Sequence, residues 1–340
     1  MLAIVLALAS AIGYGGSDFA AGLASRSAGV IQVTLLASMV SAVIVAAALP
    51  FAASHPPGTA ALAWGAVAGL GGTTGALALY LGFRHAAFSV AGPISAVGAA
   101  GFSVLAGLLL GERPTALALT GIVLALPAIV GVSASAASAD SEPPEEEPAD
   151  ADTTGRAAAT GPPAATGRAA ATEPPAAAGR AAATGSPATG VAAGLVAGAG
   201  FALLFIGLDR AGSGSGLWPV AATQVTELVV ALAVATVTRN VRLPGTRRRG
   251  TRRPGAQLSG TGPRLLAVIA GAAGASGTIL FFFASHEGFL AITAVLTSLY
   301  PAVTIVLART MLGERLTALR LAGLTLAGAC VALIAVGSVG

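Results

Sequence analysis

The 340-residue sequence has no lysine, a single cysteine, three histidines, 5% aromatic residues and only 9% charged residues. One cysteine, Cys330, excludes an internal disulfide and any cysteine-based metal cluster. The three histidines are not paired at metal-ligand spacing, so no zinc site is expected. A soluble domain carries roughly 25% charged residues, and the scarcity of charge here excludes a large water-soluble core. What is abundant is apolar: 55% of residues are hydrophobic and 46 are glycine, with a mean hydropathy of +0.84. Glycine is more frequent in membrane helices than in soluble ones. The net charge of +4 and pI near 10.2 do not mean nucleic-acid affinity, because the arginines sit in loops between apolar runs.

A bilayer core about 30 Å thick takes about 20 apolar helical residues to cross. Such runs occur at 2–25, 30–51, 60–81, 86–110, 116–135, 191–208, 217–238, 265–284, 288–312 and 316–339. None shows the period-2 alternation of a barrel strand. The expected fold class is therefore all-α, a polytopic membrane protein of ten transmembrane helices. Ala9-Ser10-Ala11 mimics a signal-peptidase site, but Met1–Ile4 has no basic residue and the apolar run continues to about Gly22. The first run reads as a span.

Two segments interrupt the pattern. Residues 136–189 are mostly Ala, Pro, Thr, Gly and Glu, with Gly-Arg-Ala-Ala-Ala-Thr at 155–160, 167–172 and 179–184. Such a composition buries too little apolar surface to offset chain entropy and predicts a disordered linker. Residues 239–264 hold eight arginines and no acid, a topology determinant lying against anionic headgroups. The domain plan is a first five-helix repeat at 1–135, the linker at 136–189, and a second repeat at 190–340 with the Arg-rich loop 239–264.

The halves resemble each other. Gly111-Glu112-Arg113-Pro114-Thr115-Ala116-Leu117 matches Gly313-Glu314-Arg315-Leu316-Thr317-Ala318-Leu319 at six of seven positions, 202 residues apart. Leu119, Gly121, Leu124 and Ala125 recur as Leu321, Gly323, Leu326 and Ala327, and Gln32-Val33-Thr34 recurs as Gln224-Val225-Thr226. Five crossings separate the Glu112 loop from the Glu314 loop, which puts them on opposite membrane faces and makes the repeats inverted. Inverted repeats serve secondary transporters, where exchanging the conformations of two equivalent halves turns an outward-open state into an inward-open one around a midplane site.

These residues also carry a family resemblance. The ten spans, the two Gly-Glu-Arg-x-Thr turns, the following Gly121 and Gly323, and the first-span run Tyr14-Gly15-Gly16-Ser17-Asp18-Phe19 resemble EamA-type drug/metabolite transporters. The resemblance covers the chain outside 136–189 and 239–264. It implies two five-helix bundles around a central cavity, export or exchange of small metabolites, and both termini in the cytoplasm. Pro93 and Pro301 stand at different depths in corresponding spans, so pore-lining positions do not transfer there.

Ionisable groups inside a span are costly and face protein or water. Two acids lie well inside the spans. Glu227 falls mid-span beside Gln224 and Thr226, where the neutral acid is favoured and proton coupling becomes available. Asp18 follows Gly15-Gly16-Ser17 in the first span, placed to bind a substrate amine or a proton, or to bond backbone freed by the glycines. Gln32 and Gln224 offer hydrogen bonds to substrate or to neighbouring helices. Tyr14 and Tyr300 line the cavity or anchor at the interface. The candidate substrate- or proton-binding residues are thus Glu227, Asp18, Tyr14, Gln32, Gln224, Thr226 and Tyr300. Glu112 and Glu314 read as acids complementing the dipoles of the fifth and tenth helices. Gly65, Gly69, Gly71, Gly72 and Gly75 read as a helix-packing face.

The expected function is a secondary active transporter of a small metabolite in the cell membrane, acting as a monomer or homodimer with protons as a candidate coupling ion. A flippase for lipid-linked substrates is the same-fold alternative. An intramembrane enzyme would need a catalytic set, and no His-Glu-x-x-His, Gly-x-Ser-x-Gly or phosphate-loop motif is present. No motif calls for a cofactor. A membrane scaffold would not need the duplication. Orientation draws opposite expectations: all arginines but Arg113 and Arg210 fall on the face away from the termini, which the positive-inside rule places in the cytoplasm.

Overall fold

The computed structural model describes residues 1–25, 28–52, 56–85, 88–134, 187–240, 261–312 and 317–338. Among these residues all regular structure is helical. In hydrocarbon a backbone must satisfy its own N–H and C=O groups, and a helix does so within one segment. The first half forms α1 (Leu2–Ser25), α2 (Val30–Ala52), α3 (Thr59–His85), α4 (Phe88–Leu109) and α5 (Ala116–Ala134). The second forms α6 (Pro187–Arg210), α7 (Trp218–Asn240), α8 (Thr261–Glu287), α9 (Leu290–Thr297), α10 (Tyr300–Leu312) and α11 (Ala318–Gly337). Eight stretches among the described residues are long and apolar enough to cross a membrane, with α9 and α10 counted together. Two shorter apolar stretches, Ile94–Leu109 and Ala116–Val132, belong to α4 and α5. The expected linker lies outside the described residues except for its last three, which open α6. Residues 241–260 of the Arg-rich loop and 313–316, with Glu314 and Arg315, also lie outside them.

The expected ninth span, 288–312, is not one helix. α9 ends at Thr297 and α10 begins at Tyr300. Pro301 has no N–H to donate to the Thr297 carbonyl, and its ring blocks a straight continuation. All eight residues of α9 are buried, as expected of a helix hydrophobic on every side.

The main helix contacts cross between the halves. α1 packs on α8, α3 on α6, α5 on α11 and α4 on α6, whereas α1 and α2 touch little. The two sets of helices interdigitate instead of standing as separate bundles. Lipid tails are as apolar as leucine, so helices associate here through close packing and hydrogen bonds. The sequence supplies both. A Cβ on Gly13 would lie 2.8 Å from the Gly277 Cα, and one on Gly200 would lie 2.6 Å from the Gly75 nitrogen. Ser10 Oγ donates to the Gly277 carbonyl and Ser17 Oγ to the Ala270 carbonyl, each at 2.8 Å.

Several contacts mark one end of the bundle. A Cβ on Gly288 would meet Ala3, the Gly58 N–H donates to Ser215 Oγ at 3.2 Å, and Thr115 Oγ1 donates to the Gly337 carbonyl at 2.7 Å. This is the terminal end, where the chain starts and α11 stops. The far end holds the last turns of α1, α3, α5, α7 and α10.

Candidate functional site

The site begins with one face of α1. Ala7, Ala11, Tyr14 and Asp18 recur at spacings of four, three and four, a single helical stripe. Toward the terminal end this stripe is sealed: Ala7 is 0% exposed and Ala11 2%, and Thr297 Oγ1 donates to the Ala7 carbonyl at 3.3 Å. Seven residues beyond Ala11, Asp18 is exposed. α7 repeats the pattern, since Val220 is fully buried and Glu227, seven residues on, is half-buried. Both acids thus lie on the far-end side of a closed zone.

That zone is aromatic. The Tyr14 and Phe205 ring centroids are 6.5 Å apart, and those of Phe205 and Phe281 are 4.4 Å apart. Val220, Phe205, Phe281 and Phe282 belong to one buried cluster against which Tyr14 packs. The Tyr14 hydroxyl donates to Thr278 Oγ1 at 3.1 Å, and Thr278 Oγ1 donates in turn to the Gly274 carbonyl at 3.0 Å.

Glu227 is the tenth residue of the 23 in α7, so it lies near mid-membrane. Gly72 of α3 makes room for it, because a Cβ there would lie 2.6 Å from Glu227 Oε1. Three residues earlier Gln224 is 2% exposed, and its Oε1 has no hydrogen-bond partner among the described residues. Thr226 turns to the α3 interface, with its Cβ 2.7 Å from where a Cβ on Gly69 would stand. The glycine face expected in α3 is thus two faces: Gly65, Gly69 and Gly72 meet α7, while Gly71 and Gly75 meet α6.

Tyr300 opens α10 at the helix break, and its carbonyl lies 2.6 Å from a Cβ built on Gly15. Tyr14, Asp18 and Tyr300 thus lie on α1 and the adjoining α9–α10 break, and Gln224 and Glu227 on α7. Gln32 is different: it is the third residue of α2, about one turn inside the far end, whereas Gln224 is the seventh residue of α7 counted from the terminal end. The two glutamines do not share a depth.

Sequence reasoning misplaced Glu112. α5 starts only at Ala116, and the Thr115 hydroxyl caps it by accepting from the Ala118 N–H at 3.2 Å. Glu112 instead caps α9 in the other half: its Oε1 accepts from the Leu290 N–H at 2.6 Å and its Oε2 from the Ala291 N–H at 2.9 Å. Gly111, with φ of 94°, makes the turn that sends the carboxylate there, and a Cβ on Gly107 would collide with it. No spacing in the sequence signals a cap delivered from such a distance. Thr223 was also missed; its Oγ1 donates to the Gly65 carbonyl at 2.9 Å. No group of three or more His, Cys, Asp and Glu suited to a metal occurs among the described residues.

No curated protein matches the chain. Seventeen chains of solved structures do. One of them, a crystal structure, is 17% identical with a TM-score of 0.60 and covers 96% of each chain, a likeness that shows the fold alone. The EamA-like transporter family matches residues 1–134. With its many apolar helices and this likeness over its first 134 residues, the chain is an integral, multi-pass membrane protein.

Proposed function

We propose that the chain is a secondary transporter that exports or exchanges a small metabolite across the cell membrane by alternating access. Its two five-helix halves are inverted repeats, and Glu227 and Asp18 bind protons or substrate between them. The reciprocity of helix packing carries this reading. The pairing of α1 with α8 has its counterpart in α6 with α3, and that of α2 with α8 in α7 with α3. The pairs α5–α11, α2–α7 and α4–α9 each join corresponding helices. Individual glycines repeat the relation at the same spacing of 202 seen in the two Gly-Glu-Arg turns. A Cβ on Gly75 would meet the Phe201 ring at 3.0 Å, and one on Gly277 the Tyr14 ring at 3.2 Å. Gly69 faces Thr223 and Thr226, while Gly271 faces Ala37 and Val40. In this register Glu227 corresponds to Ser41, and the two Gln-Val-Thr runs are six residues out of step.

The broken α9–α10 helix adds support, since secondary transporters build their sites from discontinuous helices at the repeat interface. The seal over Ala7, Ala11 and Val220, with Asp18 exposed beyond it, describes a state closed at the terminal end and open toward the far end. Export direction and coupling are tested by proton-driven uptake in liposomes. Glu227→Gln is expected to abolish the response to a pH gradient while downhill exchange persists, and unchanged coupling sinks the proton role.

A further inference from the structure

We infer that a groove on the outer surface, between α3, α4 and α6 at the terminal end, binds an acidic phospholipid. One acyl chain lies in the groove and the phosphate meets Arg210. The inference goes beyond the transporter reading and needs only that the chain spans a membrane.

The groove follows from the packing. α3 and α4 both lie along α6 but touch each other little, so α6 forms a floor between two walls. Trp64 of α3, Ala106 and Leu109 of α4, the following Leu110, and Ile206 and Arg210 of α6 surround a volume of about 270 Å³. The lining is apolar throughout, so Arg210 contributes its carbon stem and Trp64 its ring carbons. The groove opens outward, with Leu109 78% and Leu110 50% exposed. Pockets that enclose drug-sized ligands measure about 300–1,000 Å³. This one is smaller, and an apolar groove open to hydrocarbon takes an acyl chain.

Charge selects the headgroup. Arg210 is the exposed last residue of α6, and Trp64 is the sixth residue of α3, so both stand near the membrane–water boundary. Tryptophan rings favour that level, and an arginine lays its stem on apolar surface while its head reaches the polar zone. Ile206 and Arg210 are one turn apart on one face of α6, whereas Asp209 continues the buried stripe of Ala202 and Phe205. A guanidinium pairs two N–H groups with two phosphate oxygens. A zwitterionic headgroup brings its own cation to that phosphate, and an acidic one leaves the charge to Arg210. A basic residue in a last helical turn also suits the helix dipole, but that role needs neither the groove nor Trp64.

The repeat register proposed above supplies an internal comparison. A Cβ on Gly13 would meet Gly277 as one on Gly200 would meet Gly75, which aligns α1 with α6. In that register Ala308 and Leu312 of α10 stand for Ala106 and Leu110 at the far end, while Leu266 and Leu23 stand for Trp64 and Arg210. Arg264 and Arg309 take other positions on α8 and α10. The apolar wall recurs in both halves, and the Trp–Arg pair belongs to the terminal end.

Fluorescence quenching of the full chain in phosphatidylcholine nanodiscs tests the site. The chain has two tryptophans, so in a Trp218→Phe background the signal comes from Trp64. Lipids brominated on an acyl chain quench an indole they touch. Brominated phosphatidylglycerol should reach half-maximal quenching at roughly tenfold lower mole fraction than brominated phosphatidylcholine. Arg210→Gln should remove that preference. Arg113→Gln, at an exposed position in the neighbouring turn outside the groove, should leave it intact. The comparison of the two lipids in the parent protein needs neither charge variant. The proposal is overturned by equal quenching by the two lipids or by a preference that survives Arg210→Gln. It is also overturned by a preference lost equally in Arg113→Gln, which would mark surface charge in general. None of these readouts involves transport, so their outcome is separate from that of the function proposed above.

Discussion

Gly72 and Gly69 occupy neighbouring turns of α3 and meet the same helix, yet a methyl group added at each meets different matter. At Gly72 the nearest atom is Glu227 Oε1, 2.6 Å from the added Cβ, and that atom is the far end of a flexible side chain. Gly72→Ala should therefore leave the fold intact while pushing the carboxylate off its place. Transport is expected to fall roughly tenfold with little change in thermal stability, since small misplacements of a functional group cost rate far more than stability. At Gly69 the obstacle is the Thr223 carbonyl, also at 2.6 Å, and backbone cannot step aside. Gly69→Ala should cost roughly 1–3 kcal/mol in stability from overpacking and lower expression and melting temperature together. Equal behaviour of the two variants in paired thermal-shift and flux measurements would contradict this assignment. Sequence already singled out Glu227 as a lone mid-span acid and Gly72 as a packing residue. That the second exists for the first was not legible, because adjacency across helices has no trace in one-dimensional spacing.

Among the elements, α9 shows how far local sequence reaches. Leu290–Thr297 is apolar apart from Thr293 and Thr297 and reads as membrane-buried; Pro301 signals that a straight helix cannot pass. What the sequence conceals is the support of the other end. An eight-residue helix has too few internal bonds to stand alone, and its first N–H groups have no partner within it. Glu112 supplies that partner from the α4–α5 turn, and a carboxylate at a helix N-terminus also meets the favourable end of the dipole. Removing an N-cap acceptor costs about 0.5–2 kcal/mol, so Glu112→Ala should lower the melting temperature of the purified protein and Glu112→Gln should lower it less. The loss should be visible as faster amide exchange at Leu290 and Ala291 before the rest of the bundle. Uniform exchange across all helices would assign Glu112 a merely global role. Apolar helices and most of their approximate limits were readable because bilayer thickness imposes a length. The break and the cap were not, because they depend on partners far away in sequence.

For the whole molecule, the burial gradient along the α1 stripe is a statement about conformation, and the arginines turn it into one about direction. In the closed zone Ala11 is 2% exposed, whereas Gly22, on the same inner side of α1 and beyond Asp18, is exposed. The native background suits a thiol experiment, since the single cysteine, Cys330, is fully buried. Gly22→Cys should react quickly with a membrane-impermeant maleimide and Ala11→Cys slowly. The face that admits the reagent is set by charge: among the described residues Arg84, Arg239, Arg264, Arg309 and Arg320 lie toward the far end, and Arg113 and Arg210 toward the terminal end. Positive loops stay in the cytoplasm, so Gly22→Cys should be modified in inside-out vesicles and protected in intact cells. Driving turnover should then expose Ala11→Cys to reagent from outside the cell while Gly22→Cys loses reactivity, as two inverted halves exchange shapes. Labelling of Gly22→Cys in intact cells would reverse the orientation without touching the mechanism. Simultaneous reactivity of both positions from one side, unchanged by substrate, would describe a channel and remove alternating access from the account.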